Sequence, residues 1–141
     1  MTKGDIQKIE RVQKRATRMV IELRSLDYVD RLDALGLTTL DGRRKRGDLI
    51  QIYKIINGIE KVELDWQTGG RGDYIRRHRY QIEREICRNC PIRNNFLLNR
   101  NATTWNLLPP DIVEANTVNS FKARIDRHMK MNALRRSVYR V

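Results

Sequence analysis

The chain has 141 residues, with 29 Lys and Arg against 17 Asp and Glu and a formal net charge of +12 at pH 7. With 40% hydrophobic and 33% charged residues, it holds enough apolar material for one thin core, which excludes full disorder and leaves no room for two large domains. A positive field of this size concentrates polyanions, so nucleic acid leads as partner and an anionic membrane surface comes second.

No apolar run approaches the ~18 residues that span a bilayer, and the opening MTKGDIQKIERVQKR lacks the apolar centre of a secretory signal. The expectation is an intracellular chain, in nucleus or cytoplasm, with no membrane partner. The two cysteines, Cys87 and Cys90, cannot build a disulfide framework, in keeping with a reducing compartment.

From Asp5 to about Leu23, Ile6, Ile9, Val12, Ala16, Met19, Val20 and Leu23 recur at three- and four-residue steps. That spacing predicts a helix with these residues against a core. Lys8, Arg11, Arg15 and Arg18 fall on another face as a cationic ridge, either a solvated surface or a phosphate-facing one. Ser25 is placed to cap a second helix through Leu35, with Leu26, Val29, Leu32 and Leu35 apolar and Gly36 as the stop. Asp27, Asp30 and Asp33 surround Arg31 there as charge partners. Thr39 can cap a third helix to Asn57, burying Leu49, Ile52, Tyr53 and Ile56 and ended by Gly58. Its first turns carry Arg43, Arg44, Lys45 and Arg46. Four cations at a helix start repel one another and oppose the macrodipole, a conflict that a bound phosphate would remove and that packing can otherwise tolerate.

Beyond Gly58 the periodicity fades. Trp66 is followed by Thr68, Gly69, Gly70, Arg71 and Gly72, a joint by composition. The stretch from Tyr74 to Arg88 alternates roughly and reads as a short strand or extended arm. Its arginines, including Arg76, Arg77 and Arg79, interleave with tyrosines as single-strand binding would use them. A fourth helix is expected over Asn94 to Leu107, with Phe96, Arg100, Thr103 and Leu107 on one side and Pro109 and Pro110 as the stop. Thr117 caps a last helix whose buried stripe is Val118, Phe121, Ile125 and Met129, ahead of a frayed tail LRRSVYRV.

Chemistry is sparse. Cys87 and Cys90 have the gap of a zinc knuckle, yet a closed zinc site needs four ligands and the histidines are only His78 and His128. An incidental reduced pair outweighs zinc, so Cys87, Cys90 and His78 stand as weak metal candidates and no cofactor is assigned. No adjacent acidic pair could hold two magnesium ions, and no phosphate-cradling glycine loop or nucleophile elbow occurs.

Three stretches in order resemble the region C-terminal to the polymerase core in non-LTR (LINE-type, jockey-like) retrotransposon reverse transcriptases. The opening DIQKIERVQKRATRMV is similar to the family's helix just after the thumb. YVDRLDALGLTTLDGRRKRGDLIQIYKIING follows its R-L-x-x-L-G-L and R-G-D-L-I-x-x-Y-K-I-x-N-G pattern through Arg31, Leu32, Leu35 to Leu37, Leu40, Arg43, Arg44, Arg46 to Ile50 and Tyr53 to Gly58. NNFLLNRNATTWNLLPPDIVEANTVNSFKARID resembles its ending, carried by Phe96, Arg100, Trp105, Asn106, Leu108, Pro109, Phe121 and Lys122. Where the family has paired valines after that arginine, this chain has Asn101 and Ala102, from which poorer packing of the fourth helix is expected. The Tyr-x-Asp-Asp catalytic motif and any apurinic-type endonuclease domain belong upstream of this region. The resemblance therefore implies a terminal fragment or decayed copy of a larger polymerase, itself without catalysis.

The resulting expectation is a mostly α fold, about five helices with a short extended or β-like arm in the middle. Residues 1–58 form a basic helical segment, 59–93 a basic linker or arm, and 94–141 a C-terminal helical segment. Its function is that of a non-enzymatic accessory region holding RNA or DNA backbones through Lys8, Arg11, Arg15, Arg18, Arg43, Arg44, Lys45, Arg46, Arg76, Arg77 and Arg79, beside the polymerase core of the parent polypeptide. The rival is a scaffold packing on that core, and the third reading is a relic without function. A contiguous basic strip from Arg11, Arg15, Arg43, Arg44 and Arg46 would favour binding, and dispersed charge the scaffold.

Overall fold

A computed structural model describes residues 3–62, 78–87 and 89–138. The joint from Trp66 to Gly72, together with Arg76, Arg77 and Arg88, lies outside the described residues. The described fold is mostly helical: α1 Lys3–Thr17, a 3-10 turn Ile21–Leu23, α2 Tyr28–Ala34, α3 Leu40–Ile56, α4 Pro91–Asn94, α5 Leu97–Asn106, α6 Pro110–Val113 and α7 Val118–Val138. Internal contacts gather into two compact units, one up to Lys45 and the other from Arg46.

In the first unit, α1 stops at Thr17, short of the expected Leu23. The Thr17 hydroxyl donates back to the Lys14 carbonyl (3.1 Å) and accepts from Arg31 Nε (3.3 Å), a local alternative to further helix. The second helix begins at Tyr28 with Asp27, not Ser25, in the N-cap position. Gly36 (φ +63°) ends it as expected, its left-handed backbone letting Leu37 N–H reach the Leu32 carbonyl at 2.8 Å. The burial departs from the periodicity. Leu32 is buried, but its neighbours inside are Gln13, Thr17 and Arg31, while Ile9, Val12, Met19, Leu26, Val29 and Leu35 are exposed. Arg31 takes no aspartate partner among the described residues; it donates to Thr17 and the Leu26 carbonyl and lies over the Tyr28 ring at 5.8 Å.

In the second unit the third-helix expectation holds. From Arg46 on, α3 buries Leu49, Ile52 and Tyr53 and ends at Gly58 (φ +66°), where Ile59 N–H bonds the Lys54 carbonyl at 2.9 Å. The expected fourth helix, Asn94 to Leu107, forms from Leu97 to Asn106, and a separate one-turn helix precedes it. Pro91 opens α4 at its first position, Asn95 and Phe96 interrupt, and α5 follows. Its inner side is Leu98, Asn101, Ala102 and Trp105, so the side drawn through Phe96, Thr103 and Leu107 faces solvent. Pro110 starts a further short helix, α6, instead of only stopping α5. Thr117 Oγ1 accepts Ser120 N–H (3.1 Å) at the start of α7, whose Val118, Phe121, Ile125 and Met129 turn inward as expected. Helix continues to Val138, into the first five residues of the tail expected to fray.

The centre of this unit is aromatic. Tyr53 stacks on Phe121 (centroids 4.3 Å), and Trp105 lies 6.1 Å from Phe121 and edge-on to His78 at 6.0 Å. Residues 78–87 are not helical and carry an isolated bridge at Ile82. The arm is bound through Trp105 Nε1, which donates to the Tyr80 carbonyl at 2.7 Å, and through Asn106, whose side chain accepts Ile82 N–H and donates to the Ile82 carbonyl, both at 2.9 Å.

Asp48 and Arg100 join α3 to α5 as a bidentate pair, with Nε to Oδ2 at 3.0 Å and Nη2 to Oδ1 at 2.7 Å. Asn101 adds a bond to Asp48 at 3.1 Å and one to the Leu97 carbonyl at 2.8 Å. Asn101 and Ala102 are both buried on the inner side of α5. Asp48→Asn keeps the shape and removes one charge from a pair whose carboxylate is half-buried and whose guanidinium lies at the surface, and is expected to cost about 1 kcal/mol in urea denaturation.

Tyr28 donates its phenol proton to Glu10 at 2.5 Å, and burial followed by that carboxylate pushes its pKa from 10.0 up to about 12. Above pH 10 the unfolded chain releases this proton before the folded one does, so this contribution to stability, whole below pH 10, falls as pH rises towards about 12. In a spectrophotometric titration of tyrosinate, Tyr28→Phe is expected to remove the late step and leave the earlier ones.

Candidate nucleic-acid interface

Three parallel rows run along α1, each one residue out of step with the next and so turned by ~100°. Glu10, Gln13 and Thr17 form the packed row. Gln13 donates to the Thr38 carbonyl (3.0 Å) and accepts from Arg43 Nη2 (2.5 Å). Glu10 accepts a hydrogen bond from the Tyr28 hydroxyl on one oxygen and from Leu40 N–H on the other at 3.0 Å. Ile9, Val12 and Ala16 form the second row, with Met19 just past the helix, and all four are exposed. Lys8, Arg11 and Arg15 form the third, exposed and without a side-chain partner among the described residues. Arg18, expected on the same helix, lies in the turn after Thr17 and is also exposed.

The cluster at the start of α3 is answered within the chain. Glu10 places a carboxylate on the first amide of the helix, and the Thr39 hydroxyl accepts Gly42 N–H at 3.1 Å. Lys45 pairs with Asp41 at 2.6 Å. Arg46 pairs with Asp126 of α7 through Nε and through Nη2 at 2.9 Å, and this bond raises the guanidinium pKa further. Arg43 is held by Gln13, and Arg44 is half-buried. The dipole, Lys45 and Arg46 are thus answered by the carboxylates of Glu10, Asp41 and Asp126, and Arg43 by the amide of Gln13. Because Arg43 binds the packed row, two steps or ~200° from the ridge, it does not join Arg11 and Arg15 in one strip.

Arg79 lies over the Tyr80 ring at 4.8 Å and within 3.8 Å of Glu114, so it is paired as well. Arg76 and Arg77 lie outside the described residues.

The weak metal candidates are placed apart in role. His78 is buried, its Nε2 donating to the Trp105 carbonyl at 3.1 Å, while Cys90 is exposed in the N-cap position of α4. Asn89 enters that turn with φ +60°. Burial first, then the Glu85 carboxylate, holds the Cys87 thiol above its ordinary range, which disfavours the thiolate that a metal requires. Among the described residues no three His, Cys, Asp or Glu side chains gather as a metal site, and no helix is long and apolar enough to cross a membrane.

Periodicity missed the ties that fix the arm, Trp105 to Tyr80 and Asn106 to Ile82, and the pair Asp48 with Arg100 that joins α3 to α5. Only the clustering of Asp48, Arg100, Trp105 and Asn106 in quoted motifs pointed at them. No protein-family model, curated protein or solved structure matches the chain.

With Arg43 and Arg46 engaged internally, changing Arg43, Arg44 and Arg46 together to Gln is expected to lower the melting temperature and leave the salt dependence of RNA binding nearly unchanged. Flattening of the log-log salt slope by roughly 0.7 per residue on single strands would return the cluster to phosphate contact.

Proposed function

We propose that the chain is a non-catalytic helical region from the C-terminal part of a LINE-type reverse transcriptase, and that its α1 ridge holds RNA or DNA backbones beside the parent's polymerase core. The observation that carries the binding role is the row Lys8, Arg11 and Arg15, exposed and without side-chain partners among the described residues. Arg43, Lys45, Arg46 and Arg79 each have one. A row of cations at helical spacing meets phosphates without reading bases, so binding is sequence-tolerant. The parentage draws support from residues of separate motif stretches that meet in space: Asp48 with Arg100, and Tyr53 with Phe121.

The scaffold reading has its own support in the exposed apolar row beside the ridge, which phosphate contact leaves unused.

Lys8→Gln, Arg11→Gln and Arg15→Gln combined are expected to weaken all sequences alike and to flatten the salt slope by roughly 0.9 per lost contact on duplex DNA or roughly 0.7 on single strands. An unchanged slope overturns the binding role. Given primer, RNA template, deoxynucleotides and magnesium, the purified chain is expected to extend nothing; extension above a buffer control would contradict the non-catalytic reading.

A further inference from the structure

The first unit has its polarity reversed. Inside it, Gln13, Thr17 and Arg31 are buried beside Leu32, and Arg31 is only 2% exposed. Outside, Val12 is 68%, Met19 76%, Ile21 80% and Val29 63% exposed. Three of the outward apolar positions, Ile9, Val12 and Ala16, follow three- and four-residue steps on α1, and Met19 continues them. A row with that spacing matches the apolar stripe of another helix, which meets it at i, i+3, i+4 and i+7.

The charge beside the row selects among partners. Lys8, Arg11, Arg15 and Arg18 are each one residue before Ile9, Val12, Ala16 and Met19, so the cations edge the apolar row along its whole length. On the other edge lies the packed row of Glu10, Gln13 and Thr17, already engaged. A partner on this face therefore meets apolar side chains along its middle and cations along one flank.

We propose that the exposed row of α1 docks an acidic amphipathic helix of a partner protein, with the partner's apolar residues on Ile9, Val12 and Met19 and its carboxylates against Lys8, Arg11 and Arg15. A second copy of the chain is a poor occupant, because in antiparallel pairing like flanks face each other and ridge would oppose ridge. The inference rests on the apolar row and does not require the nucleic-acid reading. If both hold, partner and nucleic acid compete for the same cations.

The test uses the full chain and a synthetic amphipathic helix with leucines at three- and four-residue steps flanked by glutamates. Titration is expected to show saturable binding to the wild type, a loss of about tenfold for each of Val12→Ser and Met19→Ser, and a weaker complex when the peptide's glutamates become glutamines. Both substituted residues are exposed, and circular dichroism confirms that the helices remain. RNA affinity of the two variants is expected to be unchanged, which separates failure of this proposal from failure of the phosphate reading. The proposal is overturned if the peptide does not bind, or if both variants bind it like the wild type. Preferential binding to phosphatidylserine vesicles that these variants abolish, or a dimer that they dissociate, would equally overturn it.

Discussion

Trp105 is the residue on which the second unit turns. Its ring is fully buried between His78 and Phe121, and its indole N–H is spent on the Tyr80 carbonyl. A buried indole must find an acceptor or bear the cost of desolvation, and here the acceptor belongs to a segment with no helical bonds of its own. One side chain thereby supplies apolar area to α5 and α7 and a backbone anchor to the arm. Asn106, the next residue, pairs with both backbone groups of Ile82 and gives the arm the hydrogen bonds that a neighbouring strand would have given.

The charges obey a related economy. Asp48, Asp126 and Asp41 lie where Arg100, Arg46 and Lys45 reach them, so a chain of net charge +12 still spends acids on specific cations. The pairs differ in weight. Asp48 and Arg100 are the less exposed of the two pairs and share Asn101, whereas Arg46 and Asp126 are more exposed and contribute less. The unspent positive charge on α1 is concentrated in one row, which is where an external anion gains most.

Helix existence was legible because periodicity and hydroxyl caps agree at α3 and α7, and stop glycines at α2 and α3. Thr39, Thr117, Gly36 and Gly58 all act where the pattern put them. Facing was legible only where the apolar stripe is broad, as with Phe121 and Ile125. On α5 the row through Phe96 and Leu107 and the row through Leu98 and Trp105 are both amphipathic, and only tertiary packing selects one. On α1 the pattern named an apolar face but not what covers it. The ridge was readable as spacing. Which cations stay unpaired was not, because Gln13 with Arg43, and Asp126 with Arg46, are 30 and 80 residues apart in sequence.

The first unit makes the limit of periodicity physical. Its arrangement is specified by bonds among Glu10, Tyr28 and Leu40, among Gln13, Thr38 and Arg43, and among Arg31, Thr17 and Leu26. Directional bonds fix geometry sharply but add little net stability, since each replaces a bond to water. Non-directional apolar burial adds more, and here Ile9, Val12 and Met19 are withheld from it. A helix organised this way keeps its position through polar contacts on one row while its main source of binding free energy stays available on the next. Because the cations stand one residue before that row, any surface that buries it must also answer positive charge, so the shape and the charge of an acceptable neighbour are set together.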